Sequence, residues 1–181
     1  MRDRFGPDPF AGAGAVKRLL LCCLLLVGCG YHATGRGALP PNIQSIAVPA
    51  FANVTRSYKI EQVLTAAVVR EFVTRTNYRI TSSPEQADAV LRGMVTSTQI
   101  TPLTFDPTTG RISSALVAVA MRVSLTDHRG KVLYENQQYV FREQYQISRE
   151  VSSFFEEEGP AVDRLSRDFA RTLVSDVLEA F

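Results

Sequence analysis

The stretch Ala115 to Thr126, ALVAVAMRVSLT, sorts from Val117 onward into two alternating sets of side chains. Val117, Val119, Met121, Val123 and Leu125 fall on one side, and Ala118, Ala120, Arg122, Ser124 and Thr126 on the other. A strand has a side-chain period of two, so this is a strand with one buried face and one small or polar face. DHRGK follows, and Gly130 supplies the positive φ that a short bulged loop needs. Val132 to Tyr145 is therefore expected to return as the antiparallel partner.

A sheet with one apolar face must be covered by another layer. Two segments have the right pattern. From Tyr58 to Thr76, Ile60, Val63, Leu64, Ala67, Val68 and Phe72 recur at spacings of three and four, with Lys59, Glu61, Arg70, Glu71 and Arg75 on the other side. After Pro160, Val162, Leu165, Phe169, Leu173 and Val177 form a second stripe, and Glu156 to Glu158 lie where carboxylates are favoured at a helix start. The rest reads as strands: Ile43 to Phe51, with Pro49 forcing an edge position or the strand's end, then Tyr78 to Thr81, then about Ala89 to Ile100. Ser83 before Pro84 marks a brief helical turn between the last two. The expected fold is α+β, a two-layer sandwich with two helices on one face of a mixed four-stranded sheet.

The N-terminus stands apart from this pattern. Lys17 and Arg18 precede nine unbroken apolar residues, Leu19 to Val27. As a helix that run spans roughly 14 Å, about half of a hydrocarbon layer, so it reads as a secretory signal. Leu26-Val27-Gly28-Cys29 resembles the bacterial lipobox, in which the cysteine is thioether-linked to diacylglycerol after cleavage before it. The expected organisation is a lipoprotein signal peptide over 1–28, a lipidated Gly/Pro-rich tether over 29–41 and a domain over 42–181. By resemblance to sorted lipoproteins, Gly30 rather than Asp after the cysteine favours delivery to the outer membrane, with the domain on its periplasmic face.

Cys22 and Cys23 leave with the signal and Cys29 is acylated, so the mature domain depends on packing rather than on disulfides. Removing Arg2, Arg4, Lys17 and Arg18 with Asp3 and Asp8 leaves 16 basic and 16 acidic residues from totals of 20 and 18. Neutrality argues against a nucleic-acid binder. The charge is uneven, however. Cys29 to Arg142 holds 12 basic and 7 acidic residues, whereas Glu143 to Phe181 holds 4 and 9.

Little here points to chemistry. His32 lies in the tether and His128 in the hairpin turn, where a solvated role is expected; no cluster has metal-ligand spacing, and neither a nucleophile elbow nor a phosphate loop is present. Asn53-Val54-Thr55 reads as a turn. No catalytic residue, metal or cofactor is expected. What remains is surface: TPLTFDPTTGRIS reads as a loop of roughly a dozen residues, longer than a hairpin demands, with Thr101, Phe105, Asp106 and Arg111 as partner-contact candidates. Arg92, Arg111, Arg122, Arg129 and Lys131 lie nearby, opposed by Asp106 and Asp127. Arginine's planar fork suits phosphate or carboxylate.

The lipobox, the Cys-Gly-Tyr-His start, IQSIAVPAFANVTR leading into a helix, ADAVLRGMV, the hairpin SLTDHRGKVLYENQQY and the closing RLSRDFARTLVSDVLEAF together resemble the LptE family of LPS-assembly lipoproteins. That resemblance covers nearly all of the mature chain. It implies a non-enzymatic partner and assembly aid that sits as a plug inside the β-barrel protein LptD and helps pass lipopolysaccharide to the outer leaflet. It also implies a lipopolysaccharide contact through basic side chains, for which Arg92 and Lys131, with Arg111 in reserve, are the candidates. The competing reading is an outer-membrane lipoprotein that activates a peptidoglycan synthase or forms part of a secretion pore. An activator reaching across the periplasm needs a long tether, and only about a dozen residues separate Cys29 from the first strand here. A hydrolase would have to recruit His128, with no supporting motif.

Overall fold

The computed structural model describes residues 39–147 and 158–181. They belong to one compact unit, Arg36–Phe181. The signal segment, Cys29, Glu156 and Glu157 lie outside the described residues.

The elements run β1 (Ser45–Ala47), β2 (Ala52–Asn53), α1 (Ile60–Arg75), β3 (Arg79–Thr81), a 3-10 turn (Pro84–Gln86), β4 (Ala89–Phe105), β5 (Ile112–Asp127), β6 (Val132–Gln146) and α2 (Glu158–Glu179). The sheet is mixed and six-stranded, ordered β3-β1-β4-β5-β6, with β2 also pairing with β4. The α+β class and the two helices are as expected, whereas the four-stranded sheet is corrected to six. The reason is local. Proline donates no ladder hydrogen bond, and the expected Ile43–Phe51 strand stops at Ala47, two residues before Pro49. The chain resumes as β2 further along the same edge of β4, where Ala52 faces Met94. β1 is thus interior, between β3 and β4, and Pro49 marks its end rather than an edge position.

α1 connects the parallel strands β1 and β3, the crossover that such pairing requires. Its buried residues are Ile60, Leu64, Ala67, Val68 and Phe72, the expected stripe without Val63, which is half-buried. Of the α2 stripe, Leu165, Phe169, Leu173 and Val177 are buried and Val162 packs at the core's margin. Both stripes join one hydrophobic core with the apolar face of β5, where Val117, Val119, Met121, Val123 and Leu125 are all 2% exposed or less. At the centre Phe169 makes edge-to-face contacts with Phe51, Tyr139 and Phe141, at centroid distances of 6.4, 5.9 and 5.3 Å.

Gly93 is required by this packing. A Cβ there would meet the Phe51 ring at 2.7 Å, and that ring is fixed because the Phe51 backbone N–H donates to Thr65 Oγ1 on α1. The hairpin glycine, Gly130, has φ +81° as expected.

Two polar clusters fasten the fold, one between the layers and one within the sheet. The Tyr139 hydroxyl donates to Asp176 Oδ2 on α2 at 2.5 Å and is also hydrogen-bonded to the Tyr134 hydroxyl. Burial, then its bond to the Asp176 carboxylate, raises the Tyr139 phenol well above its ordinary range. At the other margin Asp88 Oδ2 accepts from the Ser45 hydroxyl and from the backbone N–H groups of Ser45 and Gln44, at 2.7 to 3.0 Å, pinning β1 to the start of β4.

These donors, the Ser45 hydroxyl first, hold the Asp88 carboxyl below the ordinary carboxylate value. A depressed folded pKa adds stability above the unfolded value, near pH 4, and loses it as the pH falls through the folded one. Asp88→Asn is therefore expected to lower stability at pH 7 and to close the gap to wild type below about pH 3. Urea unfolding at the two pH values checks this, and a gap of equal size at both would contradict it.

Candidate functional site

β4 and β5 form a hairpin of 17 and 16 residues, so each strand spans roughly 50 to 55 Å. The expected loop from Thr101 is instead strand: β4 continues through Phe105, β5 resumes at Ile112, and the turn between them is 106–111. Thr104 Oγ1 bonds across to the hydroxyls of Ser113 and Ser114, at 2.8 and 2.7 Å, closing the strands where a loop was expected. Pro102 is tolerated because, among the described residues, the other edge of β4 pairs with β1 only at Ala89–Val90 and with β2 only at Met94–Val95.

Thr101 and Phe105 therefore lie on an edge strand. Asp106 shapes the turn, its Oδ1 accepting from the N–H groups of Thr108 and Thr109, and Gly110 takes φ +67°. Between Met94 and Phe105 no residue is charged, and Ile100, Leu103 and Phe105 are 48, 43 and 59% exposed. Edge strands are usually guarded by charge, so an uncharged one with exposed apolar side chains is a candidate contact surface.

The cations divide between the two ends of this hairpin. Arg111 is in the 106–111 turn. Arg92 pairs across from Ser124, which is 12 positions along β5 from Ile112 and therefore about 40 Å away. Lys131 is in the turn after β5, at the Arg92 end, where its backbone N–H donates to Asp127 Oδ1. The backbone donors of this turn, that of Lys131 first, hold the Asp127 carboxyl below its ordinary value. Arg92 and Lys131 thus share an end of the sheet, and Arg111 cannot join them in one site. His128 is exposed in the same turn, its backbone N–H donating to the Asp88 carbonyl.

Arg122, which the alternating pattern placed on the polar face, is the residue the structure adds to Arg92. Met94 pairs with Arg122 and Arg92 with Ser124, so the two arginines are diagonal neighbours on the open face, roughly 7 to 8 Å apart at the backbone. They line an open depression of about 420 Å³ with Gly93, Met94, Ser124 and Glu135. The sequence carried the alternation that put Arg122 on this face but not the register that puts it beside Arg92. Among the described residues no group of three or more His, Cys, Asp or Glu side chains is placed to hold a metal ion, and no helix is long and apolar enough to cross a membrane.

A sequence profile of the LptE family, described as lipopolysaccharide-assembly, matches residues 43–177. Among curated proteins, sequence comparison finds no match. A crystal structure of a putative lipoprotein from Caulobacter crescentus superposes with a TM-score of 0.50 at 11% identity, covering 71% of this chain and 88% of that one. The rare lipoprotein B from Shewanella oneidensis gives 0.49 at 14% identity, covering 73% and 92%. A hypothetical protein from Chlamydia trachomatis gives 0.48 at 11%, covering 75% and 96%. At these identities the Caulobacter likeness is one of fold.

Proposed function

This chain belongs to the LptE family of lipopolysaccharide-assembly proteins, and from that membership we propose that it is a lipid-anchored plug and assembly partner of an LptD-like β-barrel. On this reading residues 1–28 are a signal peptide and Cys29 carries the acyl anchor. The tether over 29–41 then leads to a domain over 42–181 at the periplasmic face of the outer membrane. The protein catalyses nothing; it holds the barrel in shape and assists lipopolysaccharide on its way to the outer leaflet.

The family match across most of the domain carries this reading, and the hairpin supports it physically. The hairpin's strands, some 50 Å long, exceed the 40 to 45 Å of a bilayer with its headgroups, enough to run the height of a barrel. Its uncharged edge and exposed Ile100, Leu103 and Phe105 suit burial against the barrel wall, with Thr101, Asp106 and Arg111 at the contact. On this reading Arg92 and Lys131, at the other end, meet anionic lipid, and Arg111 would meet it only at the far tip.

The test is a mild-detergent pull-down of the tagged, lipidated protein from outer membranes, followed by mass spectrometry. A large β-barrel protein recovered in near-equal amount is the expected result. Recovery of a peptidoglycan synthase, or of lipid alone, would overturn the reading.

A further inference from the structure

The outer edge of β4 is open over a short window whose two ends the fold fixes. At one end β2 occupies that edge beside Met94 and Val95, where the Val54 N–H donates to the Val95 carbonyl. Past the bulge at Thr96, the five residues Ser97 to Thr101 have no strand beside them on that edge among the described residues. Pro102 closes the other end, because it has no N–H to offer a neighbour and its ring holds one off.

Bonding direction alternates along an antiparallel strand. The Val95 carbonyl faces outward to Val54, and the extra residue of the bulge hands that direction on to Thr98, Ile100 and Pro102. Gln99 and Thr101 turn their backbone groups to β5 instead. The N–H and C=O groups of Thr98 and Ile100 are thus a template for another strand. No charge guards it from Met94 to Phe105, and Thr98, Ile100 and Thr101 have β-branched side chains.

The window is complementary to itself. Two copies set antiparallel about a two-fold axis at Gln99 place Thr98 of each opposite Ile100 of the other, and every outward donor and acceptor of these residues is then met. A shift of two residues either way sets an outward group against Pro102 or against the bulge at Thr96. No like charges face each other across the axis.

We propose that, away from the barrel, two copies of this chain pair through Ser97 to Thr101 and join their sheets edge to edge. Beyond the window the β4 ladder shifts register at Pro102/Thr104 and again at Thr104/Phe105. Bulged strands bend, so each hairpin tip leaves the plane of the joint sheet where it passes the other copy's β2. There its exposed Leu103 and Phe105 meet the exposed Val54 and Tyr58 of the loop after β2. The contact is small beside a standard interface of about 1,600 Å², so the pair is weak and reversible. The proposed function lays the same edge on the barrel wall, and a chain held there cannot pair.

The experiment uses the full lipidated protein in detergent, purified without the barrel. At the axis Gln99 faces its counterpart as a non-hydrogen-bonded pair, with Cα atoms about 4.5 Å apart, inside the disulfide range of about 4.4 to 6.8 Å. Gln99→Cys is therefore expected to give a disulfide-linked dimer under mild oxidation. Thr101, exposed on the same face, lies roughly 14 Å from its counterpart, so Thr101→Cys is the control. It should link at least about tenfold more slowly, at the rate of chance encounters. A second test needs no thiol. Gln99→Lys and Gln99→Glu each set like charges across the axis and should sediment as monomers, whereas an equal mixture of the two should recover the dimer.

Equal linking of the two cysteine variants would overturn the pair, as would a Lys and Glu mixture no more associated than either variant alone. Folded wild type that stays monomeric at every concentration would overturn it as well. The barrel pull-down decides the proposed function independently of all three results.

Discussion

Replacing Phe169 by alanine is expected to remove 3 to 5 kcal/mol, roughly, of folding stability, the cost of deleting a fully buried aromatic ring that the surroundings cannot collapse to fill. Phe169 is fully buried and is the shared partner of Phe51, Tyr139 and Phe141. These three rings come from the β1–β2 connection and from β6, so the change loosens α2 from the sheet at two separated places. Each edge-to-face pair adds about 0.5 to 1.5 kcal/mol beyond its buried area. Against a total of roughly 5 to 15 kcal/mol, the loss leaves a marginal domain, with a melting temperature lower by about 10 °C. Phe169→Leu, which keeps most of the volume, should cost less than half as much. Thermal and urea unfolding of both variants provide the check; an alanine variant within 1 kcal/mol of wild type, roughly, would mean that the aromatic cluster is not the keystone of the core.

Cys29→Ser is expected to abolish acylation and to reduce the outer-membrane share of the protein by at least about tenfold. The physical reason is the steepness of lipid partitioning: at about 0.8 kcal/mol per buried methylene one chain holds a protein marginally, whereas two or more hold it firmly. Serine is close in shape but cannot form the thioether, so the substitution removes the anchor and leaves the folded domain unaltered. Intact-mass measurement of the purified N-terminus, together with membrane fractionation, tests both parts. Wild-type protein with an unmodified thiol at Cys29, or a serine variant that fractionates like wild type, would remove the anchor from the proposal.

Much of the candidate site was half visible in the sequence. Alternation placed Arg122 and Ser124 on the polar face of β5, and the ADAVLRGMV segment placed Arg92 on a strand, but neither showed that Arg92 and Arg122 are neighbours. That depends on β4 facing β5 with Arg92 opposite Ser124, a pairing between residues 32 positions apart in the chain. The stretch Thr101 to Ser113 misled for a related reason. Pro102, Pro107 and Gly110 read as loop, yet the Thr104 hydroxyl pairs with those of Ser113 and Ser114, and Pro102 sits on an edge that asks for no donor.

By itself the sequence determined the elements whose signal is local. The β5 faces and the stripes of α1 and α2 follow from a period of two or of 3.6, and the glycine of the β5–β6 turn from its freedom at positive φ, all set by backbone geometry within a few residues. Only the tertiary structure decided the strand order, the splitting of the first strand around Pro49 into β1 and β2, the length of the hairpin and the meeting of Arg92 with Arg122. These rest on cross-strand register, which is fixed by the packing of one whole face against two helices and is not written in any single segment of the chain.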